Sequence, residues 1–419
     1  MRILQGKAAE AYVCELEHRS SQLGQVEPAV RRIVDDVRIR GDRALRKYAH
    51  EFDGLKPDQS LRVNEAELSQ AWKKASGELK RALRTAEKNI RKFCEWQKPK
   101  SWTRSRNGIT LGQMVRPLNS VGCYVPGGRF PLVSTLLMTV VPAQVAGVEN
   151  IRVVSPRPSS EVLAAAAMLD IREFYRAGGA QAIAALAYGT ETVPRVDKIV
   201  GPGNSYVTAA KKLVSFDCAI DILAGPTEAL IVSDRGNPAF IAADLLAQAE
   251  HDPETLAVFV TTSEELAKAV QLKVRMGGRG RPPLHKNGAA SGSLKIRGAA
   301  LIACSQQQAF DWANRIAPEH ITVEKCDLPL VQNAGSIFIG NYSAQAAGDY
   351  ASGPNHVLPT GGAARFRGGL SVVDFVKLIT VQELSARGLQ GIAPAVVRLA
   401  ATEGLYAHAI SVSVRCANA

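Results

Sequence analysis

Apolar residues recur at three- and four-residue spacing over residues 28–52, at Val30, Ile33, Val34, Val37, Ala44, Leu45 and Tyr48. That spacing predicts an amphipathic helix, stopped by Asp53-Gly54. Residues 65–96 predict a second long helix, with Leu68, Trp72, Leu79, Leu83, Ala86 and Ile90 on one side. Residues 109–115 and 121–125 alternate or run apolar, as strands do. From Val121 the pattern changes to strand and helix in turn. Strands are predicted at 121–125, 151–155, 173–176, 198–200 and from 229, with helices at 131–146, 160–169, 181–188, 206–214 and 239–250. This alternation predicts an α/β fold in which parallel sheets are covered by helices, joined by right-handed crossovers. The loops at the carboxyl ends of the strands are then expected to carry the site. The tail predicts helices at 372–378 and 392–403 and a short strand at 411–415. Residues 273–298 are rich in Gly, Pro and Arg and predict a surface loop or a disordered segment.

The chain has 419 residues, 46% hydrophobic and 21% charged, which is room for two or three domains of ordinary globular composition. The longest apolar run, 132–148, is broken by Ser134, Thr135, Thr139, Pro142 and Gln144. It falls short of the ~20 apolar residues that span a bilayer, so no membrane association is expected. The opening residues carry no apolar signal core. Seven scattered cysteines, none in Cys-x-x-Cys spacing, argue against a disulfide framework or a thiolate zinc site and for the cytoplasm. The net charge of +12 is spread rather than striped and comes with no nucleic-acid reader motif, so solubility explains it and no nucleic-acid partner is expected.

Four of the seven histidines have a carboxylate or amide close by in the chain: His251, His320, His356 and His408. Imidazole suits both metal ligation and proton transfer near neutrality, so an enzyme is the first expectation. Gln248 and His251 sit at i, i+3 on a predicted helix and point the same way. They could share a metal, or His251 could simply favour the helix C-terminus. Asp349 and His408 could complete an oxygen- and nitrogen-rich zinc shell. Glu319-His320, placed in a loop after a helix over 309–316, could act as an acid–base pair or be a surface or capping pair. His356 lies in a loop rich in Gly and Pro, where it could equally be a hydrogen-bonded turn residue. Val121–Gly128 and Gly201–Asn204 each run from a strand through a glycine turn to a helix. Such turns suit a phosphate, though each is also an ordinary structural turn. His18, His50 and His285 have no such company.

These segments, taken together, resemble histidinol dehydrogenases. The stretches that carry the resemblance include Val-Gly-Cys-Tyr-Val-Pro-Gly-Gly, Gly-Pro-Gly-Asn, Ala-Gly-Pro-Thr-Glu, Ala-Gln-Ala-Glu-His, Ala-Pro-Glu-His and Gly-Asp-Tyr-Ala-Ser-Gly-Pro-Asn-His-Val-Leu-Pro-Thr. The resemblance implies two Rossmann-like parallel-sheet domains with small helical N- and C-terminal domains. It implies an N-terminal arm over 1–25, a first Rossmann-like domain from 26–119 and 228–370 on the metal and substrate side, a second over 120–227 on the NAD side, and a tail domain over 371–419. It implies zinc-dependent, NAD-linked oxidation of L-histidinol through L-histidinaldehyde to L-histidine, with one zinc per subunit held by Gln248, His251, Asp349 and His408. Tyr124, Gln181 and Asn204 match positions that contact NAD. Thr227, Glu319, His356 and Glu403 match positions that contact substrate, and Glu319 and His320 match the acid–base pair. The resemblance further implies an intertwined homodimer in which His408 and Glu403 serve the other subunit's site. The 273–298 stretch departs from the family's charged amphipathic helix. The alternatives are a dehydrogenase of the same fold acting on another polar alcohol, which His356 and Glu403 disfavour, and a non-catalytic binding protein, which has no need of Glu319-His320.

Overall fold

Two six-stranded sheets organise the chain in a computed structural model. The structure describes residues 1–19, 23–127, 132–250, 253–277 and 297–417. The first sheet runs Arg62–Val63, Glu173–Tyr175, Asn150–Val154, Ser120–Tyr124, Lys198–Val200, Ala219–Ile220 and is parallel except at its first strand. The second runs Arg2–Gln5, Ala299–Ile302, Leu256–Thr261, Glu228–Val232, His320–Val323, Ser336–Ile339 and is parallel throughout. Their central strands, Ser120–Tyr124, Glu228–Val232 and Leu256–Thr261, are buried at every position. Helices cover both faces, which is why these strands read as apolar runs. Each sheet has a point where the order of strands reverses, beside Ser120–Tyr124 in the first and beside Glu228–Val232 in the second. Ligands of open α/β sheets bind at such crevices. The α/β expectation, two parallel-sheet bodies with small terminal elements, matches this architecture.

Several expectations need correction. The helix expected over 28–52 is two helices, Glu27–Arg40 and Asp42–Asp53. They break at Gly41, whose φ is +52° and where a Cβ would stand 2.5 Å from Glu191 Oε2. The helix expected over 65–96 is also two, Glu65–Lys74 and Gly77–Gln97. The Ser76 hydroxyl accepts from the Leu79 N–H and starts the second helix, as an N-cap should. Residues 372–378 are a short 3-10 turn, Val372–Phe375, and then the strand Val376–Leu384. That strand pairs antiparallel with Ile109–Pro117, which in turn pairs with Trp102–Arg106. Residues 411–415 lie inside the helix Tyr406–Ala417. Their Ser-Val alternation mimics a strand, but packing on the helix Ala386–Thr402 overrides it. Of the loop expected over 273–298, residues 273–277 end the helix Glu264–Gly277 and 278–296 lie outside the described residues.

Among the described residues of the arm expected over 1–25, Arg2–Gln5 is the edge strand of the second sheet, paired with Ala299–Ile302. The helix Gly6–Glu17 buries Ala9, Tyr12, Val13 and Leu16 among Leu230, Phe310 and Trp312. The helices between Glu27 and Gln97 touch 228–370 where Asn89 Nδ2 donates to the Ala351 carbonyl and where Leu83 and Ile90 share a core with Val357 and Leu370. These helices pack on the first sheet, with Val30 and Val34 in one core with Ile183 and Ala210, and Leu83 and Ile90 in another with Val121 and Phe174. Among the described residues, no helix is long and apolar enough to cross a membrane.

Candidate active site

The helix Gln306–Ile316 ends at Ala317, which has a left-handed φ of +48°. The chain then turns through Pro318 and Glu319 into the strand His320–Val323. His320 is therefore the first residue of a strand and not part of a loop, and it lies opposite Ala229 in the ladder. Only 6% of Glu319 and 2% of His320 is exposed. Glu319 Oε2 accepts the Glu228 backbone N–H at 2.9 Å and lies 3.8 Å from His320 Nδ1. His320 Nε2 faces Asp349 Oδ1 at 3.4 Å. Burial pushes the Glu319 carboxyl up to about 8, against the pull of His320 and the Glu228 N–H. Burial opposes a charge on His320, but the Glu319 and Asp349 carboxylates outweigh it and hold the imidazole above its ordinary range. A carboxyl and an imidazole brought toward neutral pH in this way are suited to exchanging protons.

Asp349 lies on the short helix Gln345–Tyr350. Its Oδ2 accepts from Gln248 Nε2 at 3.1 Å, and Gln248 sits in the last turn of the helix Pro238–Ala249. Gln248 is 1% exposed, and its Oε1 has no hydrogen-bond partner among the described residues. A buried acceptor without a donor is costly unless something electropositive meets it. His356 Nδ1 is 2.7 Å from the Asp349 carbonyl, and its Nε2 is 3.3 Å from Thr135 Oγ1. Thr227 directly precedes the strand Glu228–Val232, and its carbonyl accepts the Leu256 N–H at 2.9 Å. The structure thus brings Gln248, Asp349, Glu319, His320 and His356 together. His251 lies outside the described residues. Glu403 caps the end of the helix Ala386–Thr402 and His408 lies on Tyr406–Ala417; both are exposed. Neither forms a side-chain hydrogen bond or ion pair with the Gln248–Asp349 corner among the described residues. Among those residues, no three His, Cys, Asp or Glu side chains are grouped as a metal would require.

The residues expected on the nucleotide side gather at the carboxyl ends of the first sheet. Tyr124 ends its central strand, and its hydroxyl accepts the Gly179 N–H at 3.1 Å. Burial pushes that phenol up to about 12, so it stays neutral. Gln181 Nε2 and the Gly178 N–H both donate to Asp53 Oδ2, at 3.0 and 2.8 Å. Tyr124 and Gln181 thus brace the turn at Gly178-Gly179. Asn204 caps the helix Ser205–Val214, its Oδ1 accepting the Tyr206 and Val207 N–H groups at 3.1 Å each.

The residues expected to contact NAD lie at strand carboxyl ends in the first sheet. In the second, Glu319, His320, Thr227 and Gln248 lie at the amino ends. Residues 221–227 link the carboxyl end of Ala219–Ile220 in the first sheet to the amino end of Glu228–Val232 in the second, and so connect the two sheets. Residues 351–361 bridge them: Asn355 Nδ2 donates to the Met138 carbonyl at 2.6 Å, and the Gly361 N–H to Glu228 Oε1 at 3.0 Å.

Sequence reasoning assigned no role to Glu228 or Arg19. Glu228 is 4% exposed. Its carboxylate takes two hydrogen bonds from the Arg19 guanidinium, both 2.7 Å, while its N–H holds Glu319. Its place in the Ala-Gly-Pro-Thr-Glu motif was a usable signal. Arg19, two hundred and nine positions away, gave none.

The sequence pattern of the histidinol dehydrogenase family matches residues 16–416. The histidinol dehydrogenase of Geobacter sulfurreducens is 46% identical over 403 residues, 93% of each chain. That of Methanosarcina barkeri is 45% identical over 419 residues, covering 97% of this chain and 96% of its own. The crystal structure of histidinol dehydrogenase from Elizabethkingia anophelis superposes with a TM-score of 0.94 at 35% identity, covering 100% of this chain and 98% of that one.

Proposed function

The chain belongs to the histidinol dehydrogenase family, and on that premise we propose that it performs the zinc-dependent, NAD-linked, four-electron oxidation of L-histidinol through L-histidinaldehyde to L-histidine. It would do so in the cytoplasm, as an intertwined homodimer. The observation that supports this most is the buried Glu319-His320 pair beside the Gln248–Asp349 corner, at the junction of the two sheets.

The residues present fit zinc. Gln248 Oε1 is a buried acceptor in want of a cation, Asp349 lies against the same side chain, and oxygen and nitrogen donors suit this ion. Gln248, His251, Asp349 and His408 would hold it, His408 coming from the second subunit. When bound, zinc supplies charge that grips the substrate's imidazole and amino groups, and NAD supplies a hydride acceptor. The remaining work falls to the chain. Thr227, His356 and Glu403 bind and orient the substrate. His320 Nε2, which faces the metal corner, takes the alcohol proton in the first oxidation. Glu319 Oε1, the carboxylate oxygen not tied to the Glu228 N–H, takes a proton from the water that hydrates the aldehyde before the second. Tyr124, Gln181 and Asn204 shape the nucleotide crevice at the switch point of the first sheet.

Metal removal tests the zinc. Its ligands come from distant segments of a chain with extensive cores of its own, so chelation should abolish histidinol oxidation while leaving the circular dichroism spectrum nearly unchanged. Adding zinc back should restore the rate. Full activity in protein shown to be metal-free would contradict the proposal.

A further inference from the structure

Beneath the turn that follows the strand Lys198–Val200 lies an ion pair with almost no exposure. The Lys211 and Asp221 side chains are 2% and 0% accessible. Lys211 stands on the helix Ser205–Val214, and Asp221 directly follows the strand Ala219–Ile220. Together they close on a single residue, Gly201. Asp221 Oδ2 accepts the Gly201 N–H at 2.7 Å, and Lys211 Nζ donates to the Gly201 carbonyl at 2.6 Å. Asp221 Oδ1 accepts from Lys211 and, at 2.6 Å, from the Ile222 N–H. Arg367 donates to the Asp221 carbonyl from the far side. Gly201 has φ +114°, and a Cβ there would stand 2.2 Å from the Tyr124 carbonyl oxygen. The peptide of Gly201 is therefore fixed from below by two charges and from above by the end of the central strand.

Burying a charged pair carries a desolvation cost, and well-packed apolar side chains at such positions are often as stabilising. What the charges add here is direction. They hold the donor and the acceptor of one glycine in a single conformation out of the many that glycine can adopt. We infer that Lys211 and Asp221 are positioning residues that set dinucleotide affinity through the Gly201–Asn204 turn. This rests on the reading above, in which the nucleotide lies against that turn. Both side chains are buried, so neither reaches a ligand; both act through Gly201.

The test measures NAD binding by fluorescence titration, steady-state kinetics and Tm on the full-length zinc-loaded protein. Lys211→Met leaves a buried carboxylate unpaired, so it should lower Tm and raise KM for NAD together. The double variant Lys211→Met with Asp221→Asn removes both charges and should recover most of the lost Tm. Its Kd and KM for NAD should stay roughly tenfold above the parent's, a loss of the size expected for charge-assisted hydrogen bonds. KM for histidinol should stay within about twofold of the parent's. If the double variant does not fold, Asp221→Asn alone, close in shape but leaving Lys211 unpaired, should lower Tm and raise KM for NAD as Lys211→Met does, with KM for histidinol again within about twofold of the parent's. Parental NAD affinity in these variants, or an equal rise in both KM values, would overturn the inference. Asn204→Ala separates the two levels of the argument. Unchanged NAD affinity in that variant would overturn the placement of the nucleotide itself; weakened affinity there with an unaffected double variant would overturn only the role of the pair.

Discussion

Glu319→Gln should slow oxidation of L-histidinaldehyde by about 10²–10⁴-fold, the usual worth of a general acid–base group, and slow oxidation of L-histidinol much less. His320→Gln should impair the alcohol step at least as strongly. The division follows from geometry. His320 Nε2 faces Asp349 and the corner where the alcohol would be held, whereas Glu319 keeps one carboxylate oxygen clear of the Glu228 N–H that orients the other. Each step is measured by supplying alcohol or aldehyde to the purified variants. Water activation needs the ionised carboxylate, whose pKa burial pushes up to about 8. The parent's aldehyde step should therefore climb as pH rises toward that value, and Glu319→Gln should lose this limb. Equal effects of both substitutions on both steps would remove the division of labour.

His408→Asn and Gln248→Ala should each be inactive alone, yet recover activity when mixed, unfolded and reassembled. In a single chain, His408 is exposed on a helix whose principal contact is the helix Ala386–Thr402. Leu399, Leu405, Tyr406, Ile410 and Val414 lie exposed along this pair. Apolar surface of that kind marks an interaction face. If the face docks on a second subunit, His408 of one chain joins Gln248 of the other. A heterodimer of the two variants then holds one intact site and one that lacks both ligands. Random reassembly makes half the dimers mixed, so roughly a quarter of the sites should work. No recovery, with heterodimers shown to form, would mean that each site is built within one subunit.

Local pattern made much of the core visible. The alternation from Val121 to Glu250 appears as the first sheet, its helices and the start of the second, because buried parallel strands and amphipathic helices leave different periods in a sequence. Asn204 and Ser76 start their helices for reasons of side-chain chemistry that a sequence displays. Partners distant in the chain were not visible. Arg2–Gln5 lies beside Ala299–Ile302, and nothing in either segment names the other. The strand Val376–Leu384 is mostly exposed in the single chain, so it lacks the apolar alternation that marks a half-buried strand. Residue chemistry offered Gln248 and Asp349 as ligands of one metal, but spacing could not show that residues a hundred and one positions apart converge. The location of Glu319-His320 at strand amino ends escaped the carboxyl-end rule because that rule describes one sheet, whereas this site lies where two meet.

The most direct measurement of the central claim is the NADH formed per L-histidinol consumed by the purified, zinc-loaded protein. A four-electron oxidation through a bound aldehyde yields two NADH for each histidinol, with L-histidine as the product. One NADH, with free aldehyde accumulating, or no NADH at all, would contradict the account.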